Sequence, residues 1–224
     1  MAARTCIVSL SSARKAESIK IEFFHDVLCA WCYAFSPRLR RLVWEHLDTE
    51  IVHRAFALAP DPVAIARMFG DKGEGKRQIL SHWRAANMND DEHRIRADLM
   101  ATRDFDYPHS MPGLLGCKAA EFQRGQAGHW DYFDRVQQAH VTECVDIADD
   151  DVLERCAQDV GLDVARFRRD VGSRVACEGV EADMEIAARY GVTSTPSIVV
   201  NEGHLLSEAV SYEHLIDFLK PLSI

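Results

Sequence analysis

Ile19-Lys20-Ile21-Glu22-Phe23-Phe24-His25-Asp26-Val27-Leu28-Cys29-Ala30-Trp31-Cys32-Tyr33 is the stretch that decides how this chain reads. Its first six residues form an apolar, strand-like run, and a helix-like stretch extends from Tyr33 to His46. Two cysteines three apart on the first turn of a helix share a face and lie close enough for a disulfide. At the first of them, free backbone N–H groups and the positive end of the helix dipole stabilise a thiolate. That thiolate is a low-pKa nucleophile, and the second thiol can resolve any mixed disulfide it forms. Strand, CxxC and helix in this order are the local plan of a thiol–disulfide exchange site.

The competing chemistry for a CxxC is half of a structural zinc site, which needs a second CxxC or an HxxxH at knuckle spacing. Cys6, Cys117, Cys144, Cys156 and Cys177 are all isolated, and His25 is the one neighbour that could add a third ligand. No metal is expected, and the five scattered cysteines read as small buried hydrophobes. The other nine histidines scatter without ligand spacing and read as structural or surface residues.

A net charge of −9 argues against a nucleic-acid surface, because phosphate binding needs an excess of Lys and Arg, and it disfavours an anionic membrane. No apolar stretch reaches the length of a membrane span. Residues 1–18 carry only the short patch Cys6-Ile7-Val8-Ser9-Leu10 before turning charged, too little for a secretory signal, so they read as a flexible N-terminal leader. The expected compartment is the reducing cytoplasm, where seven cysteines imply no disulfide framework.

Along the chain, Glu50 to Leu58 alternates and reads as a second strand, ended by Ala59-Pro60-Asp61-Pro62. From Val63 to about Val171 the apolar residues recur at three- and four-residue steps, which predicts a block of about five helices. Trp83 and Trp130 fall on core stripes of that block. Asp149 to Asp151 and Asp163 are placed to cap helices, and Gly161 to stop one. A helix from about Val175 to Tyr190 ends at Gly191. Ser197 to Asn201 and His204 to Leu206 then read as two strands around a Glu202-Gly203 turn, and Ser211 caps a last helix, Tyr212 to Leu219. Sheet-forming segments at both ends of the chain must pair with each other, so the helical block is an insertion in one α/β domain. The expected division is residues 19–60 with 174–224 as one domain, and 61–173 as the inserted helical domain.

That order, together with Ile21 to Tyr33 and the late segment Gly191-Val192-Thr193-Ser194-Thr195-Pro196-Ser197-Ile198-Val199-Val200-Asn201, resembles the thioredoxin fold of the DsbA-like family with a helical insertion, and within it the FrnE-like subgroup. Two departures stand out: Ala30 occupies the place where members usually carry Pro, and His25 the place of a small polar residue. The resemblance implies a thiol–disulfide oxidoreductase with a redox-active disulfide and no bound cofactor. Its partners would be protein or small-molecule thiols and disulfides, with glutathione or another small thiol as a candidate co-substrate. Cys29 is then the exposed nucleophile and Cys32 the resolving thiol. Thr195-Pro196 would be the cis-proline loop that pairs with an extended substrate, and Trp31 a substrate-stacking aromatic. Glu22 and Asp26 could accept the proton of Cys32, and a charged His25 could support the Cys29 thiolate.

Two other readings compete. A glutathione-dependent isomerase or transferase, of the kappa-class or hydroxychromene carboxylate isomerase type, typically has Ser at the first motif position, where this chain has Cys29. A non-catalytic thioredoxin-fold binding module would need neither cysteine.

Overall fold

The computed structural model describes residues 19–46 and 48–222; the expected leader and Cys6 lie outside them. Four strands, β1 (Ile19–His25), β2 (Thr49–Ala55), β3 (Ser197–Val200) and β4 (His204–Leu206), form one sheet in the order β2-β1-β3-β4. β1 and β2 are parallel, so their connection must cross the sheet, and α1 (Ala30–Glu45) does so. β3 returns antiparallel to β1, with Phe23 opposite Ile198, and β4 closes the edge. The late strand thus pairs with the first, as the α/β reading requires, and the fold is a thioredoxin fold carrying a large all-helical insertion of the DsbA-like kind.

Because β1 is central it is covered on both faces, and its side chains alternate between two cores. Phe23 meets Phe35 of α1, with ring centroids 6.0 Å apart. Phe24 points the other way and packs with Ala187, Val192 and Val199, beneath α8 (Arg174–Tyr190). The second strand ends at Ala55 rather than running to Leu58, because its partner ends at His25: Phe56 N–H makes the last bond to His25 O, and Leu58 N–H turns to the Asp26 carboxylate.

Among the described residues the block between β2 and α8 holds six helices rather than about five: α2 (Ala64–Phe69), α3 (Lys72–Asn89), α4 (Ala97–Ala101), α5 (Met111–Gln137), α6 (Asp150–Asp159) and α7 (Val164–Val171). The six-residue α2, under two turns long, is the one the three- and four-residue steps did not register. Gly125, at φ 62°, breaks α5 in its middle. Asp149 and Asp163 cap α6 and α7 through their side chains, and Ser211 caps α9 (Tyr212–Leu219). In the β3–β4 hairpin the positive φ angles fall at Asn201 and Glu202 rather than at Gly203. Asn201 Oδ1 also accepts Lys20 N–H at 3.0 Å, tying the turn to β1.

Pro37 sits inside α1 and has no N–H for the Tyr33 carbonyl one turn earlier. Arg94, from the helical block, donates to that carbonyl at 3.2 Å and lays its guanidinium 4.2 Å from the Tyr33 ring centroid. Arg38 of α1 is buried and bonds Asp91 and the backbone oxygen of Val210. The helix that starts at the cysteine motif is thereby pinned to the block on one side and to the approach to α9 on the other.

A chain of charges runs between the sheet and the helices. Arg54 of β2 pairs with Glu22 at 2.7 Å and with Asp183 of α8 at 3.1 Å; Asp183 also pairs with Lys118 of α5 at 2.6 Å and accepts Ala55 N–H at 2.9 Å. Removing one member of a buried ion pair strands the others. Asp183→Ala should therefore lower the unfolding free energy in urea by about 3–5 kcal/mol. A loss below about 1 kcal/mol, the range of exposed pairs, would show that water already screens this network.

Candidate active site

β1 ends at His25, and Asp26-Val27-Leu28 turns the chain into α1 with Cys29 as its N-cap. Cys29 is in extended conformation, and its Sγ accepts the Cys32 N–H at 3.3 Å. Cys32 lies one turn in, and both thiols are free. Gln137, fully buried at the end of α5, donates to Cys29 O at 2.8 Å and to Asp26 O at 3.2 Å, clamping the turn from behind. From the other end of the chain the Thr195–Pro196 peptide, which is cis, places Thr195 O 3.5 Å from Cys29 Sγ. Thr195 Oγ1 has no partner of its own and can serve sulfur.

The two thiols are driven apart in acidity. Burial by itself would raise Cys29, but the hydrogen bonds its sulfur makes with Cys32, and the unpartnered Thr195 hydroxyl beside it, outweigh burial and hold the thiol below its usual value. Burial pushes Cys32 well up, and the Cys29 sulfur beside it adds to the rise. One sulfur is prepared to ionise while its neighbour keeps its proton. Cys29 is only 6% exposed, a correction to the exposed nucleophile expected. It is reached through an apolar cavity of about 230 Å³ lined by Trp31, Leu58, Met68, Phe69, Trp83 and Thr195, among others. α2 and α3 supply the far wall of that cavity, and a wall from distant helices leaves no mark in the local sequence.

Asp26 is fully buried beside the pair. Its Oδ1 accepts Leu28 N–H at 2.9 Å, and its Oδ2 accepts Leu58 N–H and the Ser110 hydroxyl, each at 2.6 Å. Burial outweighs those three bonds and pushes the carboxyl up to about 6. Asp26 has no basic partner within ion-pairing distance, whereas Glu22 is committed to Arg54 and Lys20. Burial raises Glu22, but the Arg54 ion pair more than offsets this and keeps it ionised, so a proton-accepting role does not suit it. His25 does not support the thiolate by charge: burial, then the neighbouring His129, holds it well below its usual value, and its ring packs 3.8 Å from that of Phe133.

The remaining cysteines show no such setting. Cys117, Cys144 and Cys156 are buried with thiols raised by burial, and the partly exposed Cys177 is raised as well. Trp83 and Trp130 are buried, as their stripes predicted. The sequence reading missed Ser110, Gln137 and Tyr107, which lines the cavity and donates its hydroxyl to Leu28 O at 3.4 Å. Only Gln137 left a trace, as a polar residue seven positions after Trp130 on a core-facing stripe. It also missed that His53 and His129, far apart in sequence, meet His25 in the core.

Comparison with known proteins agrees with this architecture. The ClpXP adapter protein SpxH of Halalkalibacterium halodurans is 27% identical over 199 residues, covering 88% of this chain, and the chain spans only 63% of that relative's own length. A solved structure from Nitrosomonas europaea superposes with a TM-score of 0.75 at 20% identity, covering 92% of this chain and 97% of that one. The cytosolic disulfide reductase DsbM from Pseudomonas aeruginosa, also solved with GSH, superposes with a TM-score of 0.69 at 18% identity, covering 91% of this chain and all of that one. A thioredoxin family model matches residues 23–215, from the core of β1 into α9, and the chain belongs to that family.

Proposed function

We propose that this protein is a DsbA-like thiol–disulfide oxidoreductase of the FrnE-like subgroup, working through Cys29 and Cys32 with no bound cofactor. The observation that carries the reading is the split between the two thiols, with Cys29 lowered at the N-cap of α1 and Cys32 raised one turn inside. The Cys29 thiolate attacks one sulfur of a substrate disulfide; a Cys29–substrate bond forms and the substrate's other sulfur leaves as a thiolate. Cys32 then gives up its proton, attacks Cys29 Sγ and releases the second substrate thiol. The chain's two thiols have become a disulfide and the substrate disulfide two thiols; a reductant of the thiol class, glutathione or another, reverses the change on the chain.

Asp26 is the group that accepts the Cys32 proton. It is buried, not ion-paired, and held against the cysteine turn by Cys29 N–H, which donates to Asp26 O at 3.1 Å. The Thr195 backbone offers an extended substrate a strand partner, and the apolar cavity beside Trp31 takes one of its side chains. Residues 19–60 and 174–224 supply the exchange chemistry in this reading, and the inserted domain, 61–173, supplies the cavity wall. The name of DsbM supports a cytoplasmic setting and a small-thiol co-substrate, and the adapter relatives support protein partners. A glutathione-dependent isomerase would have no use for the high-pKa thiol of Cys32. No helix among the described residues is long and apolar enough to cross a membrane.

Cys29→Ser should abolish disulfide exchange, and Cys32→Ser should accumulate mixed disulfides through Cys29, read by mass spectrometry under non-reducing conditions. Trapping through Cys32 in a Cys29→Ser protein would reverse the assignment, and full activity in both variants would remove the mechanism. Replacing Cys6, Cys117, Cys144, Cys156 and Cys177 together should leave exchange intact in a folded protein; its loss would reveal a second redox pair.

For Asp26 the sign is set by a folded pKa of about 6 above an ordinary value of 3.8. A group raised in the folded state contributes stability below its unfolded pKa and loses it as pH climbs through the folded one. Between pH 4 and pH 7 Asp26→Asn should therefore gain stability relative to the wild type by about 2 kcal/mol, read by denaturation at both pH values. The same variant should slow resolution of the mixed disulfide by about a hundredfold at pH 7. A stability difference that does not change with pH would show an unperturbed carboxyl.

A further inference from the structure

On the face of the sheet opposite α8, His25 of β1, His53 of β2 and His129 of α5 converge, and all three are fully buried. They come from three separate elements, yet one ring nitrogen from each lies within 4.8 Å of the other two. His25 Nε2 and His129 Nε2 are 3.1 Å apart. Neither ring nitrogen of His53 has a hydrogen-bond partner, nor has His25 Nδ1. Buried polar atoms in a well-packed core are normally paired, so His53, with neither ring nitrogen partnered, calls for a partner in this cluster. We propose that His25, His53 and His129 form a three-imidazole site for a divalent ion of the zinc class, which ties β1, β2 and α5 together beneath the cysteine turn.

The donor chemistry fits. Imidazole nitrogen is a borderline ligand suited to zinc, and the group contains no cysteine or carboxylate, so the protein's share of the first shell is nitrogen. His129 is already oriented as a ligand: its Nδ1–H donates to Glu121 Oε2 at 2.9 Å, which fixes the tautomer and leaves the Nε2 lone pair facing the cluster. In the metal-free protein His25 Nε2–H donates to that lone pair; on binding, the His25 proton moves to Nδ1, whose place is open. Burial lowers all three rings, at His129 against the pull of Glu121, and favours the neutral, ligating form.

The fixed charges around the site are matched. Lys118 pairs with Asp183 at 2.6 Å and Glu121 at 3.1 Å, and Arg40 pairs with Asp131 and Asp134. Glu121 touches a ligand directly and balances part of the incoming charge. Phe133 and Trp130 wall the cluster, with ring centroids 3.8 Å from His25 and 4.7 Å from His53, so the ion serves to hold structure rather than to meet a substrate.

The test uses the full chain with Cys29→Ser and Cys32→Ser, so that the redox thiols cannot hold the metal, and zinc alone as the probe. One zinc per chain should survive desalting, and its X-ray absorption spectrum should show a nitrogen shell with imidazole outer-shell scattering. His53→Gln should weaken binding at least tenfold, and so should Glu121→Gln, whose side chain reaches the surface and can be changed without opening the core. Zinc absent from the Cys29→Ser, Cys32→Ser protein, sulfur in its first shell, or unchanged affinity in the Glu121 variant would each overturn the proposal. If His53→Gln fails to fold, the Glu121 variant and the spectrum still decide. None of these outcomes bears on disulfide exchange.

Discussion

The structure turns on keeping ionisable groups reactive inside a core. β1 is buried on both faces and delivers its C-terminal end, with Cys29, into apolar surroundings. Burial opposes any charge there, so the thiolate depends on hydrogen-bond donors brought to it from its own helix turn and from the Thr195 loop. The same burial that is overcome at Cys29 outweighs the donors that reach Cys32 and Asp26, where it holds protons in place. Three neighbouring groups are thus set apart by the balance each strikes between burial and the donors that reach it.

Much of the remaining polar architecture serves that turn. Gln137 holds its carbonyls, Ser110 and Leu58 N–H hold the Asp26 carboxylate, and Arg94 satisfies the carbonyl that Pro37 leaves unpaired in the same helix. All of these except Leu58 come from the inserted helical block. The insertion therefore does more than roof the cavity: it supplies the buried hydrogen bonds without which a polar turn at the centre of the fold would be costly.

Histidine placement follows a different logic. Three rings share the space between the sheet and α5, where Phe23 and Phe133 would otherwise make an ordinary aromatic core. Fully apolar residues of similar volume would pack there without unpaired nitrogens, so the choice of histidine carries a cost in stability that coordination of an ion would offset.

The sequence by itself determined the local chemistry and the order of elements. Cys29 and Cys32 are linked by one helical turn, so their spacing and the strand before them settled that they share a face at a helix start. Cap residues such as Asp149, Asp163 and Ser211, and the stop at Gly191, act within a few residues and were legible for the same reason. Only the tertiary structure decided what surrounds the site. That Cys29 is covered rather than exposed, that Asp26 and not Glu22 lies free of an ion pair, and that His25, His53 and His129 meet all depend on residues distant along the chain. Solvation and charge are properties of a neighbourhood in space, and periodicity and spacing report only neighbours along the backbone.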